Sequence, residues 1–585
     1  MEDKKMRRLM AWAGVLTMVP LVSAGAAAQP LVAEKGASQS ADERLKALYE
    51  AEWAWRTQEF GSADRSANDR MPHVDAASQQ RRLAYWDKVL ATLDAIPVDR
   101  LSPKEQVNAA VFRTMVEADA NDIRFRTYEM PMSFWTWLAP RTGFRTLVEY
   151  QQYLKRLRDM PRYVEEQMTN MRAGLARGFT PARVAIAGRE LTIEPLAAVD
   201  PEKNPFFAPF AALPSSLPDA EGRRLQDEAR TILSQQVAPA FARLHAFVRD
   251  VYIPGARTTT AASDLPDGKA LYQAKIREYT TLNLTPEEIH RIGLAEVARI
   301  DADMRATMKQ AGWTGDFQGF LKFLKSDPQF YAKTPYELMA KSAYVANIIN
   351  GRLKENFDLL PRYRFTIRPT PAAIAPFATG GNGGLESCLM NTYNLPARPL
   401  YTIPPLTAHE CAPGHSFQAA LALEGPDRPD FRKHIYFSGY GEGWGLYTEW
   451  LGTEMGIYQT PYEEFGRETY EMWRAARLVV DTGLHHMGWS RQQALDYLAS
   501  HTALSDHEVR IEVDRYIIDF GQAVSYKLGE LLIRRKRAEA EAALGAQFDR
   551  RWFHDLILGL GAVPLSTLET QIDLWIAGGG KNPNA

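Results

Sequence analysis

The sequence predicts a mainly α-helical protein with a small β element. Three observations carry that expectation. Helix starts of one grammar recur along the chain: Ser102-Pro103-Lys104-Glu105, Thr285-Pro286-Glu287-Glu288, Thr334-Pro335-Tyr336-Glu337 and Thr460-Pro461-Tyr462-Glu463. Apolar residues at helical spacing follow such starts. Strand signals are few. The expected architecture is a large helical shell, either one body or two lobes around a deep cleft, with the β element near the functional site.

Taken in order, the first 28 residues read as a secretory signal peptide. MEDKKMRR is basic, LMAWAGVLTMVPLVSAG is a short apolar run, and Ala26-Ala27-Ala28 before Gln29 is a small-residue cleavage site. The run falls short of the ~20 residues that span a bilayer. No cysteine follows the cleavage site, so lipidation is not suggested. The expected mature protein, residues 29–585, is a single α-helical domain in the periplasm or secreted, with no stable membrane insertion.

In the four starts above, Ser or Thr caps, Pro occupies the first turn where its missing N–H costs nothing, and Glu reaches back to the cap. Ser40…Glu43, Ser490…Gln493 and Ser505…Glu508 repeat the box without proline. Leu45, Leu48, Tyr49 and Trp53 form the stripe of the first helix. Ile289, Ile292, Val297 and Ile300 form that of another, which Gly312 is placed to end. Residues 183–196 suggest a short hairpin. Tyr363, Phe365 and Ile367 alternate with polar neighbours until Pro369 stops the run. The stretch 369–408, with Gly380-Gly381-Asn382-Gly383-Gly384, reads as a connection. It is no phosphate loop, because no Lys-Ser/Thr follows the glycines.

The composition is that of a globular protein, with 45% apolar and 24% charged residues. A net charge of −2 offers no footprint for nucleic acid. Two cysteines, Cys388 and Cys411, are no disulfide framework, and the sequence does not say whether they pair.

Residues 407–415, TAHECAPGH, carry the chemistry. Zinc peptidases of the His-Glu-x-x-His type put two histidines four apart on one helix face. Here His409 and His415 are six apart. On a regular helix they would lie ~240° apart and ~9 Å along the axis, on different faces. Pro413 disfavours helix at Ala412, and Gly414 has backbone freedom. The helix is therefore expected to break at 412–414 and turn His415 back toward His409.

A catalytic zinc takes three protein ligands and keeps an open position. Glu442, on a helix expected downstream, is the third candidate. Glu449, two turns further on, is either a ligand or its support. Glu410 is placed to act as general base and acid. An oxyanion donor is also needed, and Tyr526, Tyr516 and His485 are the candidates. The metal site is thus expected within residues 405–530.

HECAPGHSFQ at 409–418, LYEAEWAWR at 48–56, LTPEEIHRIGLAEV at 284–297, EGWGLYTEW at 442–450, RAARLVVDTGLHHMGWS at 474–490 and RYIIDFGQAVSYKLG at 515–529 together resemble a bacterial family. It is the domain of unknown function 885 family, with its His-Glu-x-x-Pro-Gly-His signature. That family looks like a distant relative of the helical gluzincin peptidases, similar in layout to angiotensin-converting enzyme and the thermostable carboxypeptidases. The resemblance implies one zinc ion on His409, His415 and Glu442, and base/acid work by Glu410. It further implies oxyanion or substrate contacts from His485, Tyr516 and Tyr526, and a hold on a peptide carboxylate by Arg477, Arg515 and Lys527. Two departures stand out: Phe520 occupies the place of an expected proline before Gly521-Gln522-Ala523, and Ser416 follows His415 where a second histidine is common.

The leading expectation is an exported zinc-dependent peptidase acting on short peptides, in carboxypeptidase or dipeptidase mode. Three alternatives stand beside it. One is a metal-dependent hydrolase of a non-peptide amide or ester. Another is a cysteine hydrolase using Cys411. The third is a non-catalytic exported peptide-binding protein whose metal site is either degenerate or structural, the latter closed by His409, His415, Glu442 and Cys411.

Overall fold

A computed structural model describes residues 39–61, 68–131, 133–140, 143–372 and 374–585. The expected signal peptide lies outside the described residues. The chain forms two compact units. One holds the described residues up to Thr260 with Asp264–Asp267, and the other holds Ala261–Ser263 and Gly268–Ala585.

The first unit is built from α1 (Ala41–Phe60), α2 (Ala76–Asp94), α3 (Pro103–Arg124), α4 (Leu147–Arg177), α5 (Asp219–Ile232) and α6 (Ala238–Phe247). Leu45, Leu48, Trp86, Val89, Val111 and Phe112 form part of its core. The hairpin expected at 183–196 is absent. Three short helical turns, Arg183–Ile186, Arg189–Thr192 and Glu194–Ala197, take its place.

The second unit contains α7 (Gly268–Thr280), α8 (Pro286–Gln310), α9 (Phe317–Ser326), α10 (Pro335–Asn356), α11 (Ile403–Glu410), α12 (His415–Glu424), α13 (Ser438–Glu454), α14 (Pro461–His485), α15 (Arg491–His501), α16 (Asp506–Ile518), α17 (Ser525–Leu544), α18 (Arg550–Leu560) and α19 (Leu565–Ala577). A small sheet of β1 (Thr366–Pro369), β2 (Gly381–Gly383) and β3 (Ser387–Met390) interrupts the helices in the order β1-β3-β2. β1 runs parallel to β3, and β2 antiparallel to it, with Gly383 opposite Cys388.

The helix starts fall where their caps predict, at Ala41, Pro103, Pro286, Pro335, Pro461, Arg491 and Asp506. Full reciprocal boxes form at Ser40, Thr285 and Ser490. Ser102 departs from the pattern: its hydroxyl does not cap, and its N–H donates to Asp42 at 2.9 Å. Thr146 and Glu149 form a further reciprocal box at the start of α4. Gly312 has φ +78° just past the end of α8, as its placement predicts.

β1 is shorter than the alternation suggests. The N–H groups of Arg362 and Tyr363 donate to the Glu424 carboxylate at 2.9 and 2.6 Å, so this part of the run is held by a side chain rather than a strand partner.

α14 is buried along nearly its whole length and is the axis of this unit. α8 packs along it. α13 and α17 cross at two glycines: a Cβ on Gly443 would stand 2.6 Å from the Gly529 Cα. Only residues without side chains allow that approach. The crossing puts Glu442 of α13 and Tyr526 of α17 on adjoining turns of touching helices.

Candidate metal centre

α11 ends at Glu410, and α12 begins at His415. Between them the chain makes a four-residue turn with a cis Ala412–Pro413 peptide. Gly414 N–H donates to the Ala408 carbonyl, and Phe417 N–H to that of Cys411. The Trp444 indole N–H donates to the Pro413 carbonyl at 2.9 Å, pinning the turn to α13. Gly414 does not use a left-handed conformation: its φ is −75°. Its constraint is space, because a Cβ would lie 1.8 Å from the His409 carbonyl oxygen.

The turn brings the histidines together, with ring centroids 4.8 Å apart and planes at 85°. Glu442 meets both. Its Oε2 lies 3.4 Å from His409 Nε2 and 3.4 Å from His415 Nε2. Ligands held tetrahedrally at about 2.0–2.1 Å from zinc are themselves about 3.3 Å apart. The two carboxylate–imidazole spacings therefore fit a zinc ion, as does the chemistry of a His/His/Glu donor set.

A second group of potential ligands exists among the described residues, His73, Asp75 and Glu166. A guanidinium fills it: Arg162 Nη1 is 2.8 Å from Glu166 and 3.0 Å from His73 Nδ1. Asp75 is occupied in capping α2.

His409 is oriented from behind. Its Nδ1 is 2.7 Å from Glu449 Oε1, and Arg474 Nη2 is 3.3 Å from the same oxygen. All three residues are buried. Nδ1 carries the proton toward Glu449, and Nε2 turns to the other ligands. This carboxylate–imidazole pairing fixes the tautomer a metal needs. Glu449 is thus support for the centre.

The electrostatics follow. Burial opposes charge on His409, but hydrogen bonds to Glu442 and Glu449 and the charge of Glu410 raise its imidazole to about 9. Burial also opposes the Glu442 carboxylate. The charge of His415, with hydrogen bonds from both histidines, nonetheless holds it well below the ordinary range. Without an ion His409 and Glu442 thus form an ion pair, and a bound cation would take the place of the Nε2 proton.

Glu410 points to the sheet. Gly383 N–H of β2 donates to its Oε2 at 2.6 Å. Ser416 Oγ donates to the Glu410 carbonyl at 3.1 Å and accepts from Gly384 N–H at 3.3 Å. Cys388 of β3 and Cys411 form a buried disulfide, S–S 2.04 Å. The sheet and the motif are thus bonded covalently beside the candidate base. The disulfide also removes two expectations: Cys411 has no thiol to act as nucleophile or to close a structural metal site.

The remaining sequence candidates divide. Tyr526 comes to the centre: it lies within electrostatic reach of Glu442 and stacks on the Arg477 guanidinium at 4.4 Å. Burial and the Glu442 charge raise its phenol, which stays a proton donor. Arg477 is buried between Trp473 and Tyr526. Its Nε donates to the Tyr516 hydroxyl and its Nη2 to Glu512, both at 2.9 Å, while Nη1 has no protein partner. Arg515 also pairs with Glu512 and donates to Gln522. Two guanidinium groups thus share one carboxylate, leaving positive charge beside Tyr526.

Three expectations are corrected. Tyr516 is fully buried, and its hydroxyl accepts from Trp473 and Arg477, so it holds the arginine. His485 is fully buried with both ring nitrogens engaged: Nδ1 accepts from Ala262 N–H at 2.9 Å, and Nε2–H donates to the Tyr516 carbonyl at 3.0 Å. A ring so satisfied has no proton to offer an oxyanion. Lys527 is fully buried among Glu296, Glu471 and Glu530 at 3.2, 2.9 and 2.9 Å. Three carboxylates neutralise it, so it does not serve as a carboxylate clamp.

Sequence reasoning missed Tyr436, which donates to Glu442 Oε1 at 3.0 Å, the Arg474 support and the Gly383 contact. Tyr436 stands six residues before the ligand in no motif, so only its contact reveals it.

The family model described as "Bacterial protein of unknown function (DUF885)" matches residues 56–572. The fold is similar to the crystal structure of "the putative lipoprotein from Colwellia psychrerythraea", with a TM-score of 0.81 and 26% identity over 92% of this chain and 100% of that one. It is also similar in fold to "a putative lipoprotein of unknown function from Shewanella oneidensis", with a TM-score of 0.66 and 18% identity over 91% of this chain and 99% of that one. No curated protein matches the sequence.

Proposed function

The chain belongs to the DUF885 family, and we propose that this member is an exported zinc-dependent peptidase acting on short peptides in the periplasm or outside the cell. One observation carries the reading: His409, His415 and Glu442 converge, with Glu442 Oε2 3.4 Å from each imidazole Nε2, and a carboxylate, Glu410, stands next along the chain from His409. The apolar run ending before Ala28 supports export, as does the description of the Colwellia psychrerythraea neighbour as a "putative lipoprotein". Among the described residues no helix is long and apolar enough to cross a membrane.

His409, His415 and Glu442 would hold the ion. When bound, zinc supplies Lewis acidity, acidifying water and polarising the scissile carbonyl. Glu410 takes the proton of the attacking water and returns it to the leaving nitrogen. Its carboxylate is kept in place by Gly383 N–H. Tyr526, protonated and half-buried, is the donor for the developing oxyanion. The positive charge on Arg477 and Arg515 favours substrates with a free carboxylate close to the scissile bond, hence carboxypeptidase or dipeptidase mode.

The test is metal content and hydrolysis of a short-peptide panel by the mature protein. Expected are about one zinc per chain, activity lost to a chelator, and a fall of about 10²–10⁴-fold in Glu410→Gln with zinc retained. Full activity in Glu410→Gln or in the chelated protein would overturn the reading. Cleavage of esters or non-peptide amides alone would move the same centre to that substrate class.

A further inference from the structure

We propose that Tyr436 is a positioning residue for the metal centre, holding Glu442 so that only one carboxylate oxygen faces the two histidines. The inference rests on the zinc reading above and adds a residue to it. Tyr436 lies in the segment before α13 and reaches forward to the ligand six residues on. Its hydroxyl donates to Glu442 Oε1 at 3.0 Å, while Oε2 is the oxygen 3.4 Å from each histidine Nε2. The two oxygens therefore have different occupations.

That division matters because a carboxylate can bind a metal through one oxygen or two. Through two, Glu442 would take up the position a catalytic zinc keeps open. A donor on Oε1 engages one of its lone pairs, competing with a second metal bond, and it fixes the side-chain torsion. The backbone makes room for this ring. A Cβ at Gly441 would fall 2.3–2.6 Å from three atoms of the Tyr436 side chain. Gly441, directly before the ligand, is thus read as space for the tyrosine.

The experiment uses the full mature chain as wild type, Tyr436→Phe, Gly441→Ala and His415→Ala. Zinc dissociation constants are measured by chelator competition, unfolding temperatures on the metal-free proteins, and d–d absorption on the cobalt(II)-loaded ones. Phe keeps the ring and deletes only the donor. Expected is zinc binding about 10–100-fold weaker in Tyr436→Phe, with an unchanged metal-free unfolding temperature and a weaker cobalt band as coordination rises. Gly441→Ala, which retains the hydroxyl but displaces the ring, is expected to weaken zinc in the same direction. Zinc affinity within about twofold of wild type in both variants, with an unchanged cobalt spectrum, would overturn the inference while leaving the zinc reading intact. Wild type that binds no zinc, or that binds it no better than His415→Ala, would overturn both.

Discussion

Glu449 is a residue the sequence left open between ligand and support, and two contacts decide it. One oxygen accepts from His409 Nδ1 and from Arg474, so it faces the back of the imidazole. Support of this kind is worth about 10–100-fold in metal affinity. Glu449→Gln keeps an acceptor but loses the charge, so zinc affinity is expected to fall about 10-fold, within that range. Chelator competition reads it, and an unchanged dissociation constant would return Glu449 to a purely structural role. The same scale shows why Lys527 and His485 were misread. Their residue types suit a clamp and a donor, but function depends on whether the donors are already committed. Lys527 is committed to three carboxylates and His485 to two backbone groups. Glu530 is local to Lys527, but Glu296 and Glu471, like the Ala262 and Tyr516 groups that hold His485, come from distant parts of the chain and leave no trace in the local sequence.

At the scale of elements, the break between α11 and α12 was legible because proline and glycine act locally. The partner of that break was not. The small sheet is joined to the turn by the Cys388–Cys411 disulfide and by Gly383 N–H on Glu410. Closing a loop between cysteines 23 residues apart is expected to contribute about 3 kcal/mol. A Cys388→Ala/Cys411→Ala variant should therefore be less stable by about that amount, read by urea unfolding. It should also lose hydrolytic rate more than zinc content, since the sheet holds the candidate base and the helices hold the ligands. Equal loss of zinc and rate would place the disulfide's role in the ligand set. The helix caps teach a related lesson. Thr334 and Thr460 cap through their hydroxyls, yet their glutamates reach one residue further back, to Lys333 and Gln459. The start of the helix is a local property, while the exact bond depends on how the preceding chain arrives.

At the scale of the molecule, stability is tied to pH through a buried histidine outside the candidate ligand set. His554 is fully buried; Nδ1–H donates to the Asn356 carbonyl at 2.8 Å, and Nε2 accepts from the Tyr447 hydroxyl at 2.7 Å. Burial first, then the charges of Arg537 and Arg550, push its pKa down to about 3. The neutral ring is the folded form, so its contribution is complete above the unfolded value of about 6.5 and is lost as pH falls toward 3, at up to about 1.4 kcal/mol per unit. His554→Gln is expected to be less stable than wild type at pH 7, with the gap narrowing at pH 4.5, both read by urea unfolding. A gap independent of pH would mean that the ring contributes packing alone.

The sequence by itself determined the helical class, the helix starts, and the break that turns His415 toward His409. Each rests on neighbours within a few residues: a cap and its third residue, a stripe of 3–4 spacing, a proline beside a glycine. The tertiary structure alone decided which oxygen of Glu442 faces the histidines, that Glu449 stands behind His409, that the cysteines pair, and that Tyr436 attends the ligand while Lys527 and His485 do not. Those outcomes depend on helix crossings such as Gly443 against Gly529, where the distance between backbones selects which side chains meet. No local rule contains that distance.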